Sequence, residues 1–164
     1  MNTGQVLFKT ILYPTDFSTV AQKALGYIKQ LRHSGAEEVV VLHVFDQREL
    51  RNLAALGGLT GNWPINLDEE LKKREAEHLE AVQEIVTEFN SVGFRAKGIV
   101  REGIPLREIL QTAETEGISL IVIGSHGKTN LQEVMLGSVS EGVIRLSRQP
   151  VLVIKRDSQP GKNE

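Results

Sequence analysis

Five apolar runs that are rich in β-branched residues alternate with four amphipathic segments along the chain. The runs Val39–Leu42, Leu120–Ile123 and Val151–Ile154 are apolar without interruption, which is typical of parallel strands covered on both faces. The alternation predicts an α/β fold, in which an open five-stranded parallel sheet carries helices on both faces. The predicted strands are Lys9–Pro14, Glu38–Phe45, Phe94–Arg101, Ser119–Gly124 and Pro150–Lys155.

The segments between the strands have the start and stop signals of helices. Ser18 is a good cap for the first helix, and Pro105 suits the first turn of the third. Ser138, with Glu141 three residues later, fits a capping box at the start of the fourth. The predicted helices run from Ser18 to Gly35, from Leu67 to Val92 after the cap Asn66, from Pro105 to Gly117, and from Ser138 to Arg148.

The length of 164 residues predicts one domain over residues 1–156, followed by a flexible polar tail over residues 157–164. The segment from Asp46 to Pro64 contains three glycines and is predicted to be a long loop. Trp63, the only tryptophan, lies in this loop. It could pack over a pocket or a partner, or it could anchor the loop.

Composition excludes several classes of function. The 19 basic and 21 acidic residues are spread along the chain, so no basic stripe favours nucleic acid. The absence of cysteine excludes disulfides, thiolate metal sites and a cysteine nucleophile, and is compatible with a reducing compartment. The first ten residues show no signal-peptide pattern, and no apolar run is long enough to span a bilayer. We therefore expect a cytoplasmic protein without a membrane partner.

Glycine and serine follow the fourth predicted strand and return before the last helix. Gly124-Ser125-His126-Gly127 comes directly after Leu120–Ile123, and Gly137-Ser138 opens the helix. Glycine lets a ligand approach the backbone, and a helix N-terminus offers unpaired N–H groups, so the layout indicates a phosphate site. Ligands of open α/β sheets bind at this carboxyl edge. The alternative is that the glycines only shape a turn and that Ser138 only caps a helix.

Two common nucleotide motifs do not fit this chain. Gly127-Lys128-Thr129 has the ending of a Walker loop, but Val122 occupies the position of its first glycine. The segment Tyr13–Ser18 after the first strand contains no G-x-G-x-x-G pattern, which argues against an ordinary dinucleotide fold. A different phosphate loop is required.

Four motifs together resemble the universal stress protein family, and specifically its ATP-binding branch. They are Pro14-Thr15-Asp16-Phe17-Ser18, Leu42-His43-Val44, Gly103-Ile104-Pro105, and G-x2-G-x9-G-S at Gly124, Gly127, Gly137 and Ser138. The resemblance covers nearly the whole chain. It implies the strand order 3-2-1-4-5, which places the reversal of strand order between the first and fourth strands.

The resemblance also implies an ATP site. Thr15 and Asp16 would line the adenosine pocket, and the Val44 backbone would bind adenine. Gly124 and Ser125 would lie near the ribose. Asp16 would lie near the ribose or near a water of the metal ion. Magnesium or manganese would bind the phosphates without a direct protein ligand. The residues implied around the phosphates, through backbone N–H groups and the serine hydroxyl, are Gly127, Gly137, Ser138 and Val139. Pro14 and Gly103 complete the predicted pocket.

Several polar residues keep two interpretations. Asp16 could contact the ligand or cap the first helix beside Ser18. His126 and Lys128 could contact phosphate, but loop residues of these types are more often solvated. Arg101 and Glu102 could form a surface ion pair. The histidines at positions 33, 43 and 78 have no metal-ligand spacing in the sequence, and structural roles are expected for them.

The chain shows no catalytic-loop signature or obvious arginine finger, so no catalytic residue is assigned. The leading hypothesis is an ATP-binding sensor or signalling switch. The alternatives are a slow or partner-dependent ATPase, and an oligomerising interaction module without nucleotide. Pro150–Lys155 would be an apolar edge strand under the implied strand order, and a homodimer would cover it.

Overall fold

The computed structural model describes residues 7–46, 67–127 and 136–156. The strands are β1 (Thr10–Pro14), β2 (Glu38–Phe45), β3 (Arg95–Glu102), β4 (Leu120–Gly124) and β5 (Val151–Ile154). The helices are α1 (Thr19–Leu31), α2 (Leu67–Ser91), α3 (Pro105–Thr115) and α4 (Ser138–Leu146), and a 3₁₀ turn, Arg32–Ser34, follows α1. Residues 47–64 of the predicted loop, with Trp63, and also Asn66, Lys128 and the tail, lie outside the described residues.

The sheet has the order β3-β2-β1-β4-β5, and each pair of neighbours is parallel. This confirms the predicted α/β fold and the strand order 3-2-1-4-5. The strand limits lie within one residue of the prediction, and those of β2 match it.

Alternate residues of each central strand enter two separate cores. Ile11 and Tyr13 of β1 pack with α1 and α2 on one face, whereas Leu12 packs with α3 and α4 on the other. The apolar runs of β2 and β4 divide in the same way, with Val39 on the first face and Val40 on the second. Burial on both faces explains why these runs are apolar without interruption. No helix in the described ranges is long and apolar enough to cross a membrane.

The start of α4 differs from the prediction. Gly137 is the N-cap, Ser138 is the first helical residue, and no side chain caps the helix. The capping box of Ser138 and Glu141 is therefore wrong. The Gly137 N–H donates to the Ser125 carbonyl at 2.8 Å, which holds Gly137 in an extended conformation, and the helix starts one residue earlier than the box requires. The helix also ends earlier than predicted, at Leu146.

Candidate functional site

A cavity of about 560 Å³ opens at the carboxyl ends of β1, β2 and β4. Its floor is apolar and includes Leu42, Ile109 and Ile123, while Thr15 and Asp16 supply polar groups. Among the predicted site residues, those that line it are Pro14, Thr15, Asp16, Val44, Gly124, His126, Gly127, Gly137, Ser138 and Val139. The fold therefore brings together residues that are more than a hundred positions apart in the sequence.

The turn after β1 is held by its own side chains. The Thr15 hydroxyl accepts the Phe17 N–H at 3.1 Å, and the Asp16 carboxylate accepts the Ser18 N–H at 3.0 Å. The Ser18 hydroxyl then accepts the Ala21 N–H at 3.2 Å, so Ser18 caps α1 as predicted. Asp16 stabilises the turn before α1 and lines the cavity, while the side chain that caps the helix is that of Ser18.

Tyr13 anchors β1 to α1 below this turn. Its hydroxyl donates to the Ala21 carbonyl at 2.6 Å, and its side chain is fully buried. Burial raises the pKa of the Tyr13 phenol from 10 to about 12, so the hydroxyl stays protonated and able to donate even in mildly alkaline solution. This bond ties the first turn of α1 to the strand that leads into the site.

Ser125 connects the two halves of the glycine motif. Its carbonyl accepts the Gly137 N–H and the Ser140 hydroxyl, both at 2.8 Å. Its own N–H donates to the Ile154 carbonyl of β5. Ser125 is buried and does not line the cavity, so its contribution is to hold β4, β5 and the start of α4 together.

Two glycines, Gly124 at the end of β4 and Gly127 after it, allow close approach by neighbouring groups. A β-carbon at Gly124 would lie 3.0 Å from Val20 Cγ1, so the glycine admits the first turn of α1. A β-carbon at Gly127 would lie 2.8 Å from the Asp16 carboxylate. Because Gly127 has no β-carbon, the Asp16 carboxylate can lie directly against the Gly127 backbone.

The N-terminus of α4 forms one end of the cavity. The Ser138 and Val139 N–H groups have no acceptor within the helix, because its first bond runs from Glu141 to Gly137. The Gly137 N–H is already donated to Ser125. The Gly137 N–H is therefore not available to a ligand. The backbone donors that α4 offers to the cavity are the N–H groups of Ser138 and Val139.

His126 presents a buried nitrogen at the same end. Its Nδ1 atom lies 2.8 Å from the Ser125 hydroxyl. Its Nε2 atom is inaccessible to solvent and has no hydrogen-bond partner in the described part of the chain. An orphaned ring nitrogen in a cavity wall is unusual, because buried polar groups are nearly always bonded. His126 therefore differs from the solvated loop histidine that composition favours.

Gly103 does not line the cavity. Its N–H donates to the Phe45 carbonyl at 3.2 Å, and a β-carbon there would lie 2.8 Å from the Glu108 carboxylate. The close approach that requires glycine is thus made by Glu108 rather than by a ligand. Glu108 also pairs with Arg101 at 3.6 Å, so Arg101, which could have paired with Glu102, has Glu108 as its partner.

The cavity is also lined by residues that the sequence motifs do not indicate, and two of them are histidines. His43 and His78 line the cavity, and their rings meet with Nε2 of His43 3.2 Å from Nδ1 of His78. His43 has a weak signal in the sequence, since it precedes Val44 in the motif of β2. His78 has none, because its position depends on how α2 packs. In the described ranges no three acidic, histidine or cysteine residues are placed to hold a metal ion.

Comparison with known proteins identifies the family. Residues 7–155 match the universal stress protein family. The chain belongs to this family. The universal stress protein MJ0577 of Methanocaldococcus jannaschii is 45% identical over 157 residues, covering 92% of this chain and 97% of that one. The universal stress protein YxiE of Bacillus subtilis is 36% identical over 152 residues, covering 91% and 100%.

Solved structures show the same universal stress protein fold. The structure of MJ0577 has a TM-score of 0.80 at 43% identity and covers 93% of this chain and 99% of its own. An Arabidopsis thaliana family member with AMP bound has a TM-score of 0.60 at 16% identity, covering 92% of this chain and 93% of that one. A universal stress protein in complex with cAMP has 0.62 at 18%, covering 92% and 99%. At these last two identities the likeness concerns the fold.

Proposed function

We propose that this universal stress protein binds ATP in the cavity and acts as a nucleotide-dependent sensor or signalling switch of the stress response in the cytoplasm. The observation that carries the proposal is the convergence of Asp16, Gly127 and the N-terminus of α4 on one cavity. Its volume of about 560 Å³ suits a ligand of nucleotide size, since such pockets span roughly 300–1,000 Å³.

The geometry suggests how ATP would lie. Adenine would rest on the apolar floor beside Val44, with the ribose near Asp16 and Gly124. The phosphates would meet Gly127 and the first N–H groups of α4, where the helix dipole favours negative charge. In this arrangement neither Ser125 nor Gly103 would contact ATP. Ser125 would hold the start of α4 against β4 and β5, and Gly103 would leave room for the Glu108 side chain. His126 Nε2 is inaccessible to solvent in this structure, so a rotation of the ring toward the cavity would be needed before it could donate to a phosphate oxygen.

A magnesium or manganese ion would accompany the phosphates. Asp16 offers a hard carboxylate oxygen close to Gly127, which fits a water-linked ion. Because the described residues contain no cluster of three metal-ligating side chains, phosphate and water oxygens would supply the rest of the ligands. The ion would screen the phosphate charge, and Asp16 would orient one of its waters.

Calorimetric titration with ATP, ADP and AMP, with and without magnesium, tests this proposal. We expect ATP to bind with a stoichiometry of one per chain and with no sustained release of phosphate. The absence of adenine nucleotide binding would contradict the proposal and favour an interaction module. Steady phosphate release that disappears in Asp16→Ala would identify a slow ATPase instead.

We also propose a homodimer through β5, the edge strand next to β4. Leu152 of β5 is 37% exposed, and Ile144 and Leu146 of the neighbouring α4 are 42% and 58% exposed. An apolar edge strand beside apolar helix residues is a surface that a second copy would cover.

A further inference from the structure

Phe17 has an unusual backbone conformation. With φ at 61°, it is the one non-glycine residue in the described ranges that lies in the left-handed region. That region is unfavourable for a bulky L-residue, and such conformations persist when the surroundings hold them in place. The groups that hold Phe17 therefore control the turn that carries Asp16.

Two histidine rings lie against the Phe17 ring. The Phe17 ring stacks on His43, with ring centroids 4.5 Å apart and planes 30° apart. It also lies beside His78, with centroids 5.8 Å apart. Phe45 packs on the other ring of the pair, 5.3 Å from His78. The four rings, which we call the histidine–phenylalanine cluster, are Phe17, His43, Phe45 and His78.

The hydrogen bonds within this cluster link α2 to the same turn. His43 is 5% exposed, and its Nδ1 atom lies 2.8 Å from the Thr15 carbonyl. Since a carbonyl only accepts, the His43 Nδ1 atom carries a hydrogen. Nε2 of His43 then shares one hydrogen with Nδ1 of His78, 3.2 Å away. A continuous path thus runs from α2 through His43 to Thr15.

The cluster lies in the cavity wall. His43, Phe45 and His78 line the cavity together with Thr15 and Asp16. Movement of either histidine would therefore change both the wall and the turn before α1.

We propose that His78 and His43 are positioning residues of the nucleotide site. They hold Phe17 in its left-handed conformation and so place the Asp16 carboxylate in the turn before α1. This inference rests on the proposed function for its effect on ATP, but its effect on the turn can be measured without nucleotide.

Substitution of His78 tests the inference, with three variants compared. His78→Phe keeps a ring and removes the polar atom. His78→Asn places an amide nitrogen or oxygen where Nδ1 lies and keeps the bond to His43. His33→Phe is the matched control, because His33 is exposed in the 3₁₀ turn and lies outside the cavity lining.

We expect His78→Phe to weaken ATP binding about tenfold, and amide exchange at Phe17 and Ser18 to become about tenfold faster, as for the loss of one buried hydrogen bond. His78→Asn should restore both values to within about threefold of the unmodified protein. His33→Phe should change neither. Wild-type affinity and amide protection in His78→Phe would overturn the inference.

The inference can still be tested if the protein binds no nucleotide or if His78→Phe does not fold. If the unmodified protein binds no adenine nucleotide, the proposed function fails, and the amide exchange rates decide this inference by themselves. If His78→Phe does not fold, ¹⁵N NMR of the histidine ring nitrogens in the unmodified protein decides the inference. That spectrum should show a hydrogen shared between Nε2 of His43 and Nδ1 of His78, and its absence would overturn the inference.

Discussion

Asp16 and Gly127 come from opposite sides of the cavity and meet within contact distance. A β-carbon on Gly127 would lie 2.8 Å from the Asp16 carboxylate, so an added methyl group must displace that carboxylate. The same carboxylate accepts the Ser18 N–H in the turn before α1. A change at Gly127 would therefore reach both the proposed phosphate end and the turn.

The residue-scale prediction is that Gly127→Ala weakens ATP binding about tenfold, or by about 1.4 kcal/mol. Displacement of Asp16 from its position is the physical reason. Calorimetric titration measures the affinity, and denaturant unfolding measures the stability.

Gly26→Ala is the matched control, because a β-carbon there meets nothing within 4 Å. Gly26 lies within α1, where alanine should stabilise by about 0.5–1 kcal/mol and leave ATP affinity unchanged. Unchanged affinity in Gly127→Ala would mean that the glycine serves only the loop.

Residues close together in the motifs were easier to predict than those that meet through packing. The turn after β1 and the glycine pattern lie at strand ends, and the fold brings both to the cavity. Ser140 and His78 gave no such signal. Ser140 bonds to Ser125 across fifteen positions, and His78 bonds to His43 across thirty-five. These contacts depend on helix placement, which residue spacing does not determine.

At the scale of elements, periodicity and glycine exits located the strands and helices, because burial on two faces leaves uninterrupted apolar runs. Periodicity does not predict the distances between helices and strands. A β-carbon on Gly98 of β3 would lie 2.5 Å from Val82 of α2, so this glycine sets how closely the helix approaches the sheet. The prediction of Ser138 as the N-cap is wrong for a similar reason. The backbone hydrogen bond from Gly137 to Ser125 joins residues that are distant in the sequence, and it fixes where α4 begins.

At the scale of the whole molecule, alternation predicted the parallel α/β class, while the strand order came from the family resemblance. Many orders satisfy the same alternation. The observed order places β1 and β4 side by side and leaves β3 and β5 at the edges. Charged residues such as Arg95 and Lys97 occupy β3, whereas β5 reads Val-Leu-Val-Ile. Charge protects an edge against pairing, so we expect a second copy to pair with β5 rather than with β3.

The whole-molecule prediction concerns that edge. We expect the protein to be a dimer in light scattering at micromolar concentration, and Leu152→Lys to convert it to a monomer by placing a charge in the interface. Leu79→Lys is the control, because Leu79 is 58% exposed on α2, away from β5, and should leave the dimer intact. A monomeric unmodified protein would contradict the dimer.

A crystal structure of the protein grown with ATP and magnesium tests ATP binding in this cavity most directly. We expect adenine beside Val44 and phosphate oxygens within hydrogen-bond distance of the Ser138 and Val139 N–H groups. We also expect a magnesium-bound water at Asp16 and the His126 ring turned so that Nε2 reaches a phosphate oxygen. A cavity that stays empty at saturating ATP, or ATP bound elsewhere, would show that the cavity is not the nucleotide site.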